Sequence, residues 1–280
     1  MILIDTSVWI DFFADRSLEH VDKLSQFLED GGKMKHSEKA VNLYNLGVAA
    51  TYNGNEVQAE KYFQKAIDIA PDYYEAYYNL GNTKLALSKP HEAIKCYEKA
   101  ISINPGIAPF HFMLGTAWGV VGDALKSYKA TVRGLHLEPN DPKGQSNAGR
   151  AAFFSGAFWD ASLRFMVAIN INDLDMLAII NLGISLGRYM KLFDWELHSP
   201  GESLDLNDIY YYAKSALSLW ALNIDNELAN NLARINESDP GLYEKIKNAI
   251  ENSDLRDKLD KDAQLAMTGP YFVGIEITEL

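Results

Sequence analysis

Asn45-Leu46-Gly47 recurs along this chain in close copies, which are separated by one fixed interval. The copies are Asn79-Leu80-Gly81, Met113-Leu114-Gly115, Asn147-Ala148-Gly149 and Asn181-Leu182-Gly183. Each glycine lies 34 residues after the one before it. Since glycine makes up about 7% of an average chain, four further matches by chance have a probability on the order of 10⁻⁵. The interval therefore predicts one structural unit that is copied along the chain.

Other residues return at the same interval and divide each unit into two helices joined by a turn. The second helix is expected to end at a proline, which lacks an N–H group, and the prolines are Pro71, Pro105 and Pro139. Glycine just past a helix end marks the turn, at Gly54, Gly122 and Gly156, with Ser88 in that place in the second unit. In three units the second helix carries an alanine and, four positions later, an aromatic residue: Ala59 with Phe63, Ala93 with Tyr97, and Ala161 with Phe165.

This pattern resembles the tetratricopeptide repeat (TPR), a helix–turn–helix unit of about 34 residues. The resemblance implies an all-α fold, an α-solenoid of about five repeats. Four units in register are predicted over residues 37–173, and a fifth, interrupted by an insertion, over 174–223. The glycine in each first helix is expected to let the backbone of the paired helix approach closely. Unit three has Ser127 and Thr131 in place of the alanine and the aromatic residue, so we expect it to be packed more loosely.

Residues 1–33 begin differently, with the run MILIDTSVWIDFF at 1–13. This run, and residues 1–32 as a whole, resemble the start of a VapC-type PIN-domain ribonuclease. In that family the aspartate at the place of Asp5 is one of about four acidic residues that hold divalent metal. The other acidic positions have no identifiable counterpart here, which predicts a truncated PIN-like strand–helix fragment. The fragment is then either a fusion remnant or an N-terminal cap, whose second helix would bury Leu18, Val21, Leu24, Phe27 and Leu28.

Residues 224–280 are predicted to form C-terminal helices followed by an extended tail. The helices are expected over 226–235, 241–252 and 255–267. From Gly269 onward, Val273, Ile275 and Ile277 alternate with other residues, as in a strand. The tail either pairs with the apolar run at 2–4 or stays unpaired, and the sequence leaves both open.

Composition excludes several classes of function. Lysine plus arginine number 26 and aspartate plus glutamate 38, so the net charge is −12, which disfavours a nucleic-acid partner. Cys96 is the only cysteine, which excludes an internal disulfide and a cysteine zinc site. No membrane span, cofactor fingerprint or metal-ligand spacing is evident. These features predict a prokaryotic, cytoplasmic protein that is not an enzyme and carries no cofactor and no metal.

The TPR resemblance also implies where a partner would bind. In that family the first helix of each unit lines a concave groove that holds a peptide or a helix of the partner. The groove residues predicted on this basis are Tyr44, Asn45, Tyr78, Asn79, Phe112, Asn147, Arg150 and Asn181. The four asparagines could hold a peptide backbone, or each could form a local bond within its repeat.

We therefore predict a protein-interaction scaffold that is not an enzyme. The alternatives are a metal-dependent endoribonuclease that uses Asp5, and self-association through exposed repeat ends.

Overall fold

A computed structural model describes residues 36–172, 176–192, 209–251 and 253–268. This part of the chain contains thirteen α-helices and no strand. The all-helical repeat fold is therefore confirmed. The predicted PIN-like strand–helix fragment, residues 193–208 within the predicted insertion, and the tail from Gly269 lie outside the described residues.

The chain divides into two compact units at Pro105 and Gly106. The first unit holds α1 (Glu38–Tyr52), α2 (Glu56–Ile69), α3 (Tyr74–Ala86) and α4 (Pro90–Ile103). The second unit holds α5 (Ala108–Val121), α6 (Ala124–Leu137), α7 (Pro142–Phe154), α8 (Phe158–Ile171), α9 (Met176–Met190), α10 (Ile209–Ala221), α11 (Asp225–Ser238), α12 (Pro240–Glu251) and α13 (Leu255–Thr268). Within the first unit, and within the second from α5 to α12, each helix packs against the next along the chain.

Local sequence explains where the helices begin and where the chain turns between them. Ser37 and Asn55 accept from backbone N–H groups three residues later and so begin α1 and α2. In each of repeats one to four, one residue of the turn between the two helices adopts the left-handed conformation that glycine tolerates best. Its φ is +68° at Gly54, +59° at Ser88, +90° at Gly122 and +85° at Gly156. The predicted turns are therefore confirmed, and Ser88 takes this conformation despite its side chain.

The glycine of the repeated triplet makes room for a ring in repeats one, two and four. A Cβ placed on Gly81 would lie 2.5 Å from Cε1 of Tyr97, and one on Gly47 would lie 2.6 Å from Cε1 of Phe63. Gly149 faces Phe165 in the same way. In these repeats the space that the glycine leaves is filled by the aromatic residue of the paired helix. The backbone approach expected from the sequence does not occur at these glycines.

In repeats three and five the backbone of the paired helix lies close to the same glycine. A Cβ on Gly115 would meet the Thr131 hydroxyl first and would lie 3.0 Å from the carbonyl oxygen of Ser127, and one on Gly183 would lie 1.9 Å from that of Lys214. The helix pair of repeat three is packed at least as closely as the other pairs, so the expectation of looser packing was wrong. Because Ser127 and Thr131 are small, α6 can move in to the place that a ring occupies elsewhere.

The last helix of the second unit packs against helices that lie much earlier in the sequence. α13 packs against α8 and α10, and it buries Leu259, Ala263 and Ala266 in the core of that unit. The ammonium of Lys258 also lies 4.8 Å from the ring centroid of Trp159 on α8. The three helices that follow α10 end close to the predicted positions.

A charged group is buried where α6, α7 and α8 meet. Tyr128 donates a hydrogen bond to the Asp160 carboxylate, and the Arg164 guanidinium lies 3.6 Å from the other carboxylate oxygen. Arg164 also donates to Oε1 of Gln145 at 3.4 Å, and Gln145 donates to the Pro139 carbonyl at 2.8 Å. Burial raises the pKa of Asp160, although Arg164 and Tyr128 act in the opposite direction. These bonds join three helices and the α6–α7 turn.

Candidate protein-binding cleft

In the first unit, two of the predicted groove residues bond to each other. Tyr44 is only 4% exposed, and its ring lies 4.9 Å from that of Tyr73, measured between centroids. Asn79 donates to the Tyr44 hydroxyl at 2.7 Å. The bond joins repeat two to repeat one, so it is not the bond within a single repeat that the sequence left open for the asparagines. Tyr44 and Asn79 thus hold α1 and α3 together.

Tyr78 and Asn45 lie half-buried on α3 and α1. The Tyr78 ring lies 6.0 Å from that of Tyr97, and burial raises the pKa of the Tyr78 hydroxyl. Tyr97 itself donates to the Asn82 side chain at 2.7 Å. Part of the Tyr78 side chain and part of the Asn45 side chain therefore remain accessible on the first unit.

Phe112 and Asn181 contribute packing in the second unit. The Phe112 ring fills the space beside Gly134 and Gly144, where an added Cβ would lie within 2.8 Å of ring atoms. Asn181 is buried. Neither Phe112 nor Asn181 belongs to the lining of the cleft that Asn147 and Arg150 share.

Asn147 and Arg150 line a cleft of about 620 Å³ between α5 and α7, to which the start of α6 also contributes. We call this space the α5–α7 cleft. Its lining includes Thr116, Gly119, Val120, Asn147, Arg150 and Phe154. Its volume lies within the range of about 300–1,000 Å³ that is usual for ligand sites.

The cleft combines apolar surface with polar groups. Val120 is 64% exposed and Phe154 is 55% exposed, so both present apolar surface to solvent. Arg150 is exposed and forms no salt bridge with any residue that the structure describes. A guanidinium can bind a carboxylate with two parallel hydrogen bonds, and the Asn147 amide can both donate and accept. The arrangement suits an apolar side chain flanked by a peptide backbone or an acidic group.

Sequence reasoning missed Val120 and Phe154, although a signal was present. The two residues lie 34 positions apart and therefore occupy the same place in successive repeats. The corresponding residue of repeat one, Tyr52, is also exposed. A large apolar residue is thus exposed at the last turn of the first helix in three of the four repeats in register, and repeat two has Ala86 there. The cleft itself opens because Gly119 occupies a place that Leu85 and Phe153 fill in the neighbouring repeats.

Comparison with known families identifies the repeats of the first unit. Models of the tetratricopeptide repeat family match residues 40–73 and 74–107. These residues are therefore tetratricopeptide repeats, as the interval predicted. A search of the curated proteins finds no significant match to the sequence.

Solved structures share the fold at low sequence identity. A MamA protein is 17% identical, with a TM-score of 0.54 over 68% of this chain and 96% of that one. PilF of Pseudomonas aeruginosa is 16% identical, with a TM-score of 0.51 over 75% of this chain and 97% of that one. YrrB, described as a TPR protein with an unusual peptide-binding site, is 16% identical, with a TM-score of 0.50 over 81% and 97%. At such identities the likeness concerns the fold alone.

Two absences hold within the described residues. None of the helices there is long and apolar enough to cross a membrane. The same residues include no group of three or more histidine, cysteine, aspartate or glutamate side chains placed to hold a metal ion. The predicted role of Asp5 lies outside this part of the chain, and no comparison supports a nuclease.

Proposed function

We propose that this chain is a protein-interaction scaffold without catalytic activity, which binds a segment of a partner protein in the α5–α7 cleft. The observation that carries the proposal is the exposed apolar pair Val120 and Phe154 beside Arg150. Large apolar side chains that stay exposed around a concave surface are typical of binding sites. The same fold carries a peptide-binding site in YrrB, so the fold admits this use.

In this proposal, residues 37–173 form the repeats that carry the cleft. Residues 174–223 form a fifth repeat, and residues 224–280 form the C-terminal helices and tail. The ligand is a peptide segment with an aromatic or branched apolar side chain and a nearby acidic residue. The apolar side chain would enter the space beside Gly119, and the acidic group would pair with Arg150. The proposed partner is another protein of the cytoplasm, and the alternative is that the chain associates with itself.

Gly119→Leu provides a sharp test because it blocks the cleft at little cost to the fold. A Cβ on Gly119 would contact only the Ser127 hydroxyl, at 3.4 Å, and leucine favours a helix more than glycine. Peptides would first be selected from a random dodecapeptide library with the full chain. We expect them to bind Gly119→Leu at least about tenfold more weakly, measured by fluorescence anisotropy, since the leucine occupies their anchor position.

Ala86→Leu is the matched control, because Ala86 is exposed on α3 and lies outside the cleft. It should leave the affinity of the peptides unchanged. Arg150→Gln should weaken the acidic peptides selectively and make their binding less sensitive to salt. Selected peptides that bind Gly119→Leu as tightly as the parent chain would overturn the proposed site, and so would a library that yields no binding peptide.

A further inference from the structure

Two residues that depart from the repeat pattern meet in the lining of the α5–α7 cleft. One is Gly119, and the other is Ser127 in the first turn of α6, where repeats one, two and four have alanine. The nearest atom outside its own helix to a Cβ placed on Gly119 is the Ser127 hydroxyl oxygen, at 3.4 Å. Because position 119 carries no side chain, this hydroxyl is left uncovered and lines the cleft.

The Ser127 hydroxyl has no hydrogen-bond partner among the residues that the structure describes. Ser127 is only 7% exposed, and its carbonyl accepts a hydrogen bond from the Thr131 hydroxyl at 2.9 Å. Thr116, which also lines the cleft, differs because its hydroxyl donates to the Phe112 carbonyl at 3.1 Å on the same helix. A hydroxyl without a partner costs free energy once a ligand excludes water from it. A ligand in the cleft therefore binds best if it bonds to Ser127.

The exposed part of the cleft lining is apolar, in contrast to this buried hydroxyl. Val120 and Phe154 present apolar surface to solvent, whereas Ser127 lies almost fully buried. A side chain that enters the cleft from solvent therefore meets apolar surface first and a hydroxyl at its end. Tyrosine suits this order, since its ring is apolar and its hydroxyl both donates and accepts hydrogen bonds. Phenylalanine would cover the Ser127 hydroxyl without bonding to it.

We propose that the α5–α7 cleft selects a tyrosine of the partner segment, and that Ser127 distinguishes this tyrosine from phenylalanine. The inference rests on the proposed function and narrows its apolar anchor to one residue type. The tyrosine ring lies beside Gly119, and its hydroxyl shares a hydrogen bond with the Ser127 hydroxyl. Arg150 still pairs with the acidic group of the segment. Loss of the tyrosine hydroxyl leaves Ser127 without a partner and weakens binding about tenfold.

A double-mutant cycle between chain and peptide tests this pairing. One peptide selected on the full chain is synthesised with tyrosine and with phenylalanine at its anchor position, the residue whose replacement by alanine weakens binding most. By fluorescence anisotropy, we expect the parent chain to bind the tyrosine form about tenfold more tightly. Ser127→Ala should bind the two forms equally. This substitution suits the fold, because alanine occupies the same position in repeats one, two and four.

Thr116→Val is the matched control, because it removes from the same cleft a hydroxyl that already has a partner on its own helix. This variant should keep the tenfold preference for tyrosine. Equal binding of the two peptides by the parent chain, or a preference that persists in Ser127→Ala, would overturn the role of Ser127. Either result would leave in place the binding site that Gly119→Leu tests. A library that yields no binding peptide would overturn both the site and its selectivity.

Discussion

Repeats two and five carry the same triplet, yet its glycine faces different partners in the two places. Beside Gly81 lies the ring of Tyr97, whereas beside Gly183 lies the backbone of Lys214 on α10. The first arrangement joins two helices through a side chain, and the second brings two helix backbones together. The triplet therefore predicts a helix pair without predicting what fills its interface. The aromatic arrangement occurs in repeats one and two, which the family models match over residues 40–107, and also in repeat four.

The largest expected effect is that of Gly183→Ala. The new methyl group would lie 1.9 Å from the Lys214 carbonyl oxygen, and no side-chain movement can relieve a contact with backbone. The helices must separate, which we expect to cost about 3 kcal/mol of the free energy of unfolding, measured with urea. A cost below about 1 kcal/mol would mean that the two helices are not packed backbone to backbone.

Gly81→Ala should have a smaller effect that depends on its neighbour. The methyl group would meet the Tyr97 ring, whose displacement we expect to cost about 2 kcal/mol. In a Tyr97→Ala background the same change should be neutral or stabilising, since the ring is gone and alanine favours a helix by about 1 kcal/mol over glycine. A double-mutant cycle by urea unfolding measures this difference. Additive effects would show that the ring does not occupy the space beside Gly81.

The smallest effect expected is a gain of stability at the turn of repeat two. Ser88 has a φ of +59°, whereas the other three repeats in register place glycine at this position. Ser88→Gly should stabilise the chain by about 0.5 kcal/mol, because glycine adopts this conformation without steric cost. Gly156→Ser makes the reverse change in the second unit and should cost a similar amount. Differential scanning calorimetry would show the two midpoints moving in opposite directions.

The repeat interval predicted the helix pairs and the turns within them because both depend on residues within one repeat. Burial of Tyr44 and Asn181 was not predicted, since it depends on neighbouring helices that the register does not name. The α5–α7 cleft was missed for a related reason. It arises where Gly119 departs from the repeat pattern, so the recurring residues do not predict it. Asn147 and Arg150, which also line the cleft, were predicted from their places in the repeat register.

The return of α13 onto α8 has a consequence for how the second unit unfolds. In an open array each hairpin contacts only its neighbours, so the ends can fray one hairpin at a time. Here α8 and α13 are in contact although more than 80 residues of sequence separate them, so the helices between them cannot fray independently. Residues from α8 to α13 should therefore unfold in a single cooperative transition. They should also refold slowly, because the contact between α8 and α13 joins residues that are distant in sequence.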